Sequence, residues 1–482
     1  MSQESLITYL FIAIYLIITL VVGVIGYRQQ ENTPEDYFLA GRTVNPVVLF
    51  FTLIATNFSA FTFLGFSGAG YRTGLSYYAM IAFGTALVSI AFYLIGYKVW
   101  QIGKDQGLIT PSELIYHRLE NKPLKLLFMA VMVIFTLPYL TLQPIGAGYL
   151  LESLTQGQIS YFAGAAFLTL VIVFYVFIGG MKSVALTDVI QGILMFFLLI
   201  VAVVTIAQSL GGFTEANRTI YELKPELLSR SGVDNFFTKP KWFSYILLWF
   251  LSVPMFPQMF MRFYLPKAAN SLQVAAVLYP WVTAIMFICP VLIGMWGHIS
   301  FPDLTGKAAD PILPMMLGEH TPTGITVAVM VAALAAMMST LDSQLLALST
   351  MLTRDVYLEY LRPQASLREQ TLVGRILVVL LAVIGLILAA NPPGTIAAIA
   401  TQAFTGLAVL FPTVIAALYG RNVSSISCII SIVVGEIGVV GFQGGWIPSA
   451  LTFGFLPVIP IVIVSSVIII VGTMIKKSAF SY

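Results

Sequence analysis

Residues Phe51–Gly74 read "FTLIATNFSAFTFLGFSGAGYRTG". The segment is apolar at its edges, yet Ala55, Thr56, Asn57, Ser59, Ala60 and Thr62 fill its centre, and Gly65, Gly68 and Gly70 follow. In hydrocarbon a helix must satisfy its own backbone, so irregular backbone survives only where it faces protein or a cavity. This small, polar centre predicts a broken membrane helix. A second break is predicted in "LLWFLSVPMFPQMFMRFYL" (Leu247–Leu265), where Pro254 and Pro257 each remove a backbone donor and free an upstream carbonyl. For either segment alone, close packing of small residues is the competing reading.

The surrounding chain supports a polytopic membrane protein. Of 482 residues, 59% are hydrophobic and 9% charged, against about 25% charged in soluble domains. Thirteen apolar spans are expected, at roughly 6–27, 46–71, 76–99, 124–151, 159–179, 187–210, 242–264, 271–299, 323–350, 374–391, 394–419, 424–442 and 449–475. They form one membrane domain over 1–482, with no sizeable soluble domain. Two cysteines, Cys289 and Cys428, lie inside apolar segments and imply packing, not a disulfide framework. His117, His298 and His320 fall at segment ends or in loops, so no metal cluster is expected. The start, "MSQESLITYL", lacks the basic region of a cleaved signal peptide.

Charge asymmetry orients the spans. Arg72, Arg218, Lys224, Arg230, Lys239, Lys241 and Lys307 lie on one side, and the other seventeen of the 24 Lys and Arg, Arg262 and Lys477 among them, lie on the opposite side. The richer side is expected to be cytoplasmic, which puts the N-terminus outside and the C-terminus inside. In the loop 101–125, Thr110-Pro111-Ser112-Glu113 has the pattern of a capped short helix.

If spans 2–6 and 7–11 form halves of opposite topology, each half opens with its interrupted helix. Paired interruptions of this kind point to a transporter binding site. The boundaries are about 46–210 and 242–419, with 6–27, 424–442 and 449–475 peripheral.

The stretch "AALAAMMSTLDSQLLALS" (Ala332–Ser349) supplies chemistry to that site. Ala336, Ser339, Thr340 and Ser343 share one helical face. Two hydroxyls and the Ala336 carbonyl, joined by the Ala55 and Phe58 carbonyls freed at the first break, give five neutral hard oxygens. Such oxygens suit a small monovalent cation. A hydroxyl stripe bonded back to its own helix is the alternative. Asp342 in the same stretch is costly in a membrane and implies a partner. Lys182 and Arg354 are too near the ends to serve, which leaves a bound cation or a proton. A second acid, Asp188, follows Thr187 in the pattern of a helix N-cap. Asp188 and Asp342 together form an expected second cation station; the alternative is a cap at Asp188 and hydroxyl partners for Asp342. Glu436 is peripheral.

Four stretches carry a resemblance to the sodium:solute symporter family of proline, pantothenate and monocarboxylate permeases and sodium–sugar cotransporters. They are "IATNFSAFTFLGFSGAGYRTG", "GGMKSVALTDVIQGILM", "PMFPQMFMRFYLPKA" and "AALAAMMSTLDSQLLALSTMLTRDVY". The resemblance implies an all-α fold with a five-plus-five inverted repeat like that of the bacterial leucine transporter. It implies a main sodium site at Ala55, Phe58, Ala336, Ser339 and Thr340, and in some members a second at Asp188, Ser339, Asp342 and Ser343. An acid at 342 departs from the serine of some two-sodium members, and Asn57 replaces the aspartate of the proline permeases. Solute is implied near Asn57, Ser59, Thr62, Gln143, Gln258 and Gln402. The absence of a cation clearly placed mid-cavity argues against a di- or tri-acid.

The expected activity is sodium-driven uptake of a small polar solute, a monocarboxylate, amino acid or pantothenate-like molecule, across an inner membrane. Sodium is the coupling ion, and no organic cofactor, nucleic acid or obligatory protein partner is expected beyond solute and lipid. The alternatives are a proton-coupled or sugar symporter of the same fold, or a solute-sensing receptor. A receptor needs a signalling domain, which the tail "KKSAFSY" does not provide. Enzymatic chemistry is not expected, because no nucleophile–base pair or metal cluster is visible at membrane depth. A channel is disfavoured by the lack of a selectivity motif.

Overall fold

A computed structural model describes residues 3–29 and 33–479; the last three residues of the tail lie outside it, as does the side chain of Lys477. The described chain is helical, and its main elements are α1 (Gln3–Arg28), α2 (Pro46–Asn57), α3 (Phe61–Thr73), α4 (Ser76–Gln106), α5 (Lys122–Leu154), α6 (Tyr161–Ser209) and α7 (Lys239–Ser252). Then follow α8 (Pro257–Arg262), α9 (Asn270–Ser300), α10 (Thr323–Leu361), α11 (Leu367–Ala389), α12 (Ile396–Tyr419), α13 (Ser425–Gln443) and α14 (Val458–Lys476).

Among the described residues, ten helices are long and apolar enough to cross a membrane, and eleven crossings result if bent pair α2–α3 is one span. Thirteen is not the count that length and composition return, and the difference lies in two places. α6 is one run of 49 residues, about 74 Å if straight and far more than a hydrocarbon core of roughly 30 Å. It is broken at Gly180, where φ is 53° and ψ −153°. The expected span 242–264 is split into α7 and the six-residue α8, each too short to count.

Both predicted breaks are present. α2 and α3 meet at 55°. α7 passes through a short turn at Val253–Met255, and Phe256 is extended (φ −64°, ψ 130°) before α8. Two expectations are corrected. Thr187-Asp188 does not cap a helix: the helix resumes right after Gly180, so both residues sit well inside it. The span expected at 449–475 begins only at Val458, because left-handed Phe453 and Gly454 (φ 53° and 81°) and then Pro457 interrupt the chain. The Thr110–Glu113 capping box is present and starts the helix Pro111–Leu119.

α10 is the most enclosed of the spans. It packs against α5 and α6 at the centre, and α1 packs along α6. That last contact is close: a Cβ on Gly26 would lie 2.7 Å from the Ser183 Cα, and the Ser183 hydroxyl donates to Gly23 O at 2.6 Å. Gln191 of α6 donates to the Tyr15 hydroxyl of α1 at 3.0 Å, and Tyr15 reaches Met338 Sδ of α10 at 3.4 Å.

α3 and α9 also touch backbone to backbone. A Cβ on Gly294 would fall 1.9 Å from Ser67 O, and one on Gly70 would fall 2.6 Å from Val291 O. Small residues are what allow such crossings in a membrane. Gly294→Ala forces the two helices apart and is expected to cost roughly 1–3 kcal/mol. A melting temperature in detergent equal to the parent's would contradict this.

Candidate functional site

The first break gathers oxygen atoms. α2 starts with Pro46 behind the Asn45 cap and stops where Phe58 turns extended (φ −87°, ψ 118°). The carbonyls around that stop meet the hydroxyl face of α10. Ser339 Oγ lies 2.8 Å from Ala55 O and 3.0 Å from Ala336 O. Thr340 Oγ1 lies 3.0 Å from Phe58 O and 3.3 Å from Thr56 O. Four carbonyl oxygens thus face two hydroxyls, each with a single hydrogen to give. The cluster is rich in lone pairs, short of donors and sealed from solvent, since Ala55, Phe58, Ala336, Ser339 and Thr340 are all fully buried. The arrangement can hold a small hard cation.

Toward the basic side lie the two acids, and with them a residue that sequence reasoning misplaced. Arg262, grouped above with the cytoplasmic loops, is wholly buried at the end of α8. Its Nη2 lies 3.0 Å from Asp188 Oδ2 and 2.6 Å from Ser343 Oγ. Its Nε lies 2.9 Å from Thr52 Oγ1, and its Nη1 donates to Gln258 O at 2.9 Å. Thr52 also donates to Asp188 Oδ2 through a short contact. Asp188 therefore has a buried basic partner that the loop count hid, Arg262, while Lys182 and Arg354 pair elsewhere, with Asp36 and Glu113. Asp342 is held by hydroxyls, from Tyr175 at 2.6 Å and Ser343 at 3.0 Å. Arg262 stands as the one charge in the apolar run Met259–Leu265, and that isolation was the available signal.

On the other flank of the break is a narrow cleft with room for little more than one water. Asn57, Thr62, Thr85 and Tyr139 give it polar edges, and Phe61, Phe66, Trp249, Phe287 and Phe404 give it aromatic walls. Of the expected solute residues, Asn57 and Thr62 line it. Ser59 joins the wall behind, with its hydroxyl 2.9 Å from that of Tyr139. Gln143 braces the break: its Oε1 accepts from Ala60 N at 3.0 Å, and its Nε2 donates to Tyr139 O at 3.1 Å. Gln258 is buried, and its Oε1 has no protein partner. Gln402 stands apart and is corrected. The inward face of α12 is Ala400, Ala403, Phe404 and Leu407, at helical spacing, and Gln402 is exposed on another face. Sequence reasoning missed Tyr139, Trp249 and Phe404.

Beyond the aromatic walls opens a vestibule of about 1320 Å³, its mouth included, lined by Arg72, Tyr77, Asp234, Lys241, Tyr245 and Thr401 among others. Phe61 and Trp249 stack at 5.5 Å, and Trp249 meets Phe404 edge-on at 4.4 Å. At the rim Arg72 pairs with Asp310 at 3.0 Å, and Asp310 accepts from Ile396 N at 3.0 Å. Burial raises the Asp310 carboxyl above the usual range against the pull of Arg72. The basic side carries polar ties instead. Arg354–Glu113 spans 2.9 Å, Lys125–Asp355 3.2 Å and Lys182–Asp36 2.6 Å.

Comparison with known proteins agrees with this architecture. The chain is 27% identical over 456 residues to a sodium/pantothenate symporter of Haemophilus influenzae, covering 92% of this chain and 93% of that one. It is 28% identical over 488 residues to a sodium/proline symporter of Staphylococcus aureus, covering 98% and 93%. A substrate-bound, outward-open structure of a Na+-coupled sialic acid symporter shares the fold, with a TM-score of 0.78 at 18% identity over 98% of both chains. The model of the sodium:solute symporter family matches residues 37–435. With four-fifths of its length under that match and its helices broken where a central site is gathered, the chain belongs to the sodium:solute symporter family.

Proposed function

We propose that the chain is a sodium-driven symporter that takes up a small, singly carboxylated organic solute, a monocarboxylate, amino acid or pantothenate-like molecule, by alternating access. The observation that carries this reading is the sealed cluster of Ala55, Phe58, Ala336, Ser339 and Thr340 oxygens, with more acceptors than hydrogens. Sodium takes the place of the hydroxyl hydrogens there, and the Ser339 and Thr340 lone pairs turn toward it. Neutral ligands let a monovalent ion leave again. One inward charge gains about 2.3 kcal/mol per 100 mV of membrane potential, enough to drive accumulation.

The solute occupies the cleft beside Asn57 and Thr62 as its walls part, and then reaches Ser59 and Gln258. The lining carries amide and hydroxyl groups, aromatic surface and no charged side chain. That chemistry suits one polar end on an apolar body. The relatives named for pantothenate and for proline handle solutes with a single carboxylate, which supports the same class. The repeats run about 46–210 and 242–419, the N-terminus lies outside, and the C-terminus lies inside. The wide vestibule then faces outward, and the ties of Arg354–Glu113 and Lys125–Asp355 hold the inner side closed.

Asn57→Ala is expected to raise the solute concentration for half-maximal uptake about tenfold, the equivalent of roughly 1.4 kcal/mol, while sodium dependence shifts less than about twofold. Equal shifts in both would remove Asn57 from the solute site. The reading as a whole is tested by thermal-shift screening of the purified protein against small acids, amino acids, sugars and vitamins, with and without sodium. A ligand that binds only the folded state raises apparent stability. Sodium-dependent stabilisation by a small carboxylate is expected; stabilisation by sugars alone, or none that depends on sodium, overturns it.

A further inference from the structure

Arg375 is the one charge in the apolar run Leu372–Ala389 of α11. A charge at such depth is costly and points to a partner. The protein supplies little. Arg375 Nη2 donates to Ile178 O of α6 at 3.3 Å, and its Cζ stands 5.5 Å from the ring centres of both Tyr37 and Phe177. Its Nε is buried without a hydrogen-bond partner. Among the described residues no carboxylate comes within ion-pair distance of it. Phe177 and Ile178 also line a shallow apolar groove on α6, together with Leu170, Val173 and Phe174. Leu170 and Phe174 are 70% and 55% exposed, so the groove faces hydrocarbon. It runs about 12 Å along the helix from Leu170 to Ile178 and ends at Arg375. Arg368, two turns nearer the basic side on the same face of α11, is exposed and likewise has no acidic partner among the described residues.

We propose that this groove and Arg375 form a binding site for an anionic phospholipid of the leaflet on the basic side. One acyl chain lies along Leu170, Phe174 and Phe177, and the phosphate meets Arg375 where the groove ends. A guanidinium keeps its charge and matches two phosphate oxygens at once. Its long stem lets the charged end reach outward from the apolar zone toward the headgroups. The groove alone would accept the tail of any lipid; the uncompensated charge is what selects an anionic headgroup, and Arg368 adds to the attraction. A free phosphate ion shares the headgroup chemistry but has no use for the groove. The site joins three elements, because Tyr37 beside the guanidinium belongs to the short helix Pro34–Leu39, and its hydroxyl donates to Val176 O of α6 at 3.2 Å. A bound lipid therefore braces α6, α11 and that short helix next to the break at Gly180. The inference is independent of the sodium and solute readings given above.

The experiment is thermal unfolding of the purified full-length chain in detergent, titrated with short-chain phosphatidylglycerol, short-chain phosphatidylcholine or inorganic phosphate. A ligand of the folded state raises apparent stability. Phosphatidylglycerol is expected to stabilise the parent at a concentration about tenfold below phosphatidylcholine, and inorganic phosphate is expected to have no effect. Arg375→Gln is expected to need about tenfold more phosphatidylglycerol than the parent, with its response to phosphatidylcholine unchanged. Phe174→Ser, at an exposed position, is expected to weaken the response to both lipids about fivefold. Lys476→Gln removes another exposed charge on the basic side and is expected to change neither response. A parent that answers both lipids equally overturns the inference, and so does one that inorganic phosphate stabilises as well as phosphatidylglycerol does. A folded Arg375→Gln with the parent's response to phosphatidylglycerol overturns it too. If Arg375→Gln does not fold, Phe174→Ser decides, and a parent-like response to phosphatidylglycerol there is the overturning result. A loss in Lys476→Gln equal to that in Arg375→Gln would mean that net charge, not a site, binds the lipid.

Discussion

Thr340→Ala and Ser339→Ala are each expected to raise the sodium concentration for half-maximal uptake by ten- to a hundredfold. Each hydroxyl stands between two carbonyls, Ser339 at 2.8 and 3.0 Å and Thr340 at 3.0 and 3.3 Å. Losing one contact to a charged partner costs roughly 1.5–3 kcal/mol, and each 1.4 kcal/mol is tenfold in affinity. Thr340→Ser keeps the oxygen and is expected to stay within a few-fold of the parent. Solute affinity at saturating sodium should hold in all three variants. Uptake at a fixed proton gradient that is unchanged in sodium-free buffer would remove sodium from the account.

The largest loss of stability is expected from Asp188→Asn. Both members of the Asp188–Arg262 pair have no exposed side-chain surface. Breaking a buried pair from one side costs roughly 3–5 kcal/mol, because the remaining charge has no answer. The melting temperature in detergent should fall, and added sodium should not restore it, since the missing charge is negative. A parent-like melting temperature for Asp188→Asn would show that the pair does not tie α6 to α8.

The hydroxyl face of α10 was legible because helical periodicity alone places Ala336, Ser339 and Thr340 together. Both helix breaks were legible for a similarly local reason: small polar residues and prolines act on the backbone where they stand. Its isolation in an apolar run aside, the pairing of Arg262 was not legible. Its partners Asp188, Ser343 and Thr52 are 74, 81 and 210 residues away, and counting positive charges by loop cannot see an arginine folded inward. Asp188 was misread as a cap because Thr-Asp looks like one locally, whereas Gly180 was the true interruption. Gln402 was misassigned because its polarity suggested a site, and only the packing of α12 shows which face turns inward. The identities of the aromatic walls, Trp249 and Phe404, come from the meeting of α7 and α12, which no single stretch encodes.

The contact of α1 with α6 has a kinematic consequence. α1 lies outside the two proposed repeats, yet Gly23, Gly26 and Tyr15 lock it to Ser183 and Gln191 with no slack for a side chain between. Sliding one past the other would drive the Ser183 backbone through the groove that Gly26 leaves. α1 therefore adds no independent degree of freedom to the cycle. It behaves as a splint on the long, glycine-jointed α6, and whichever rigid body carries Asp188 carries α1 with it.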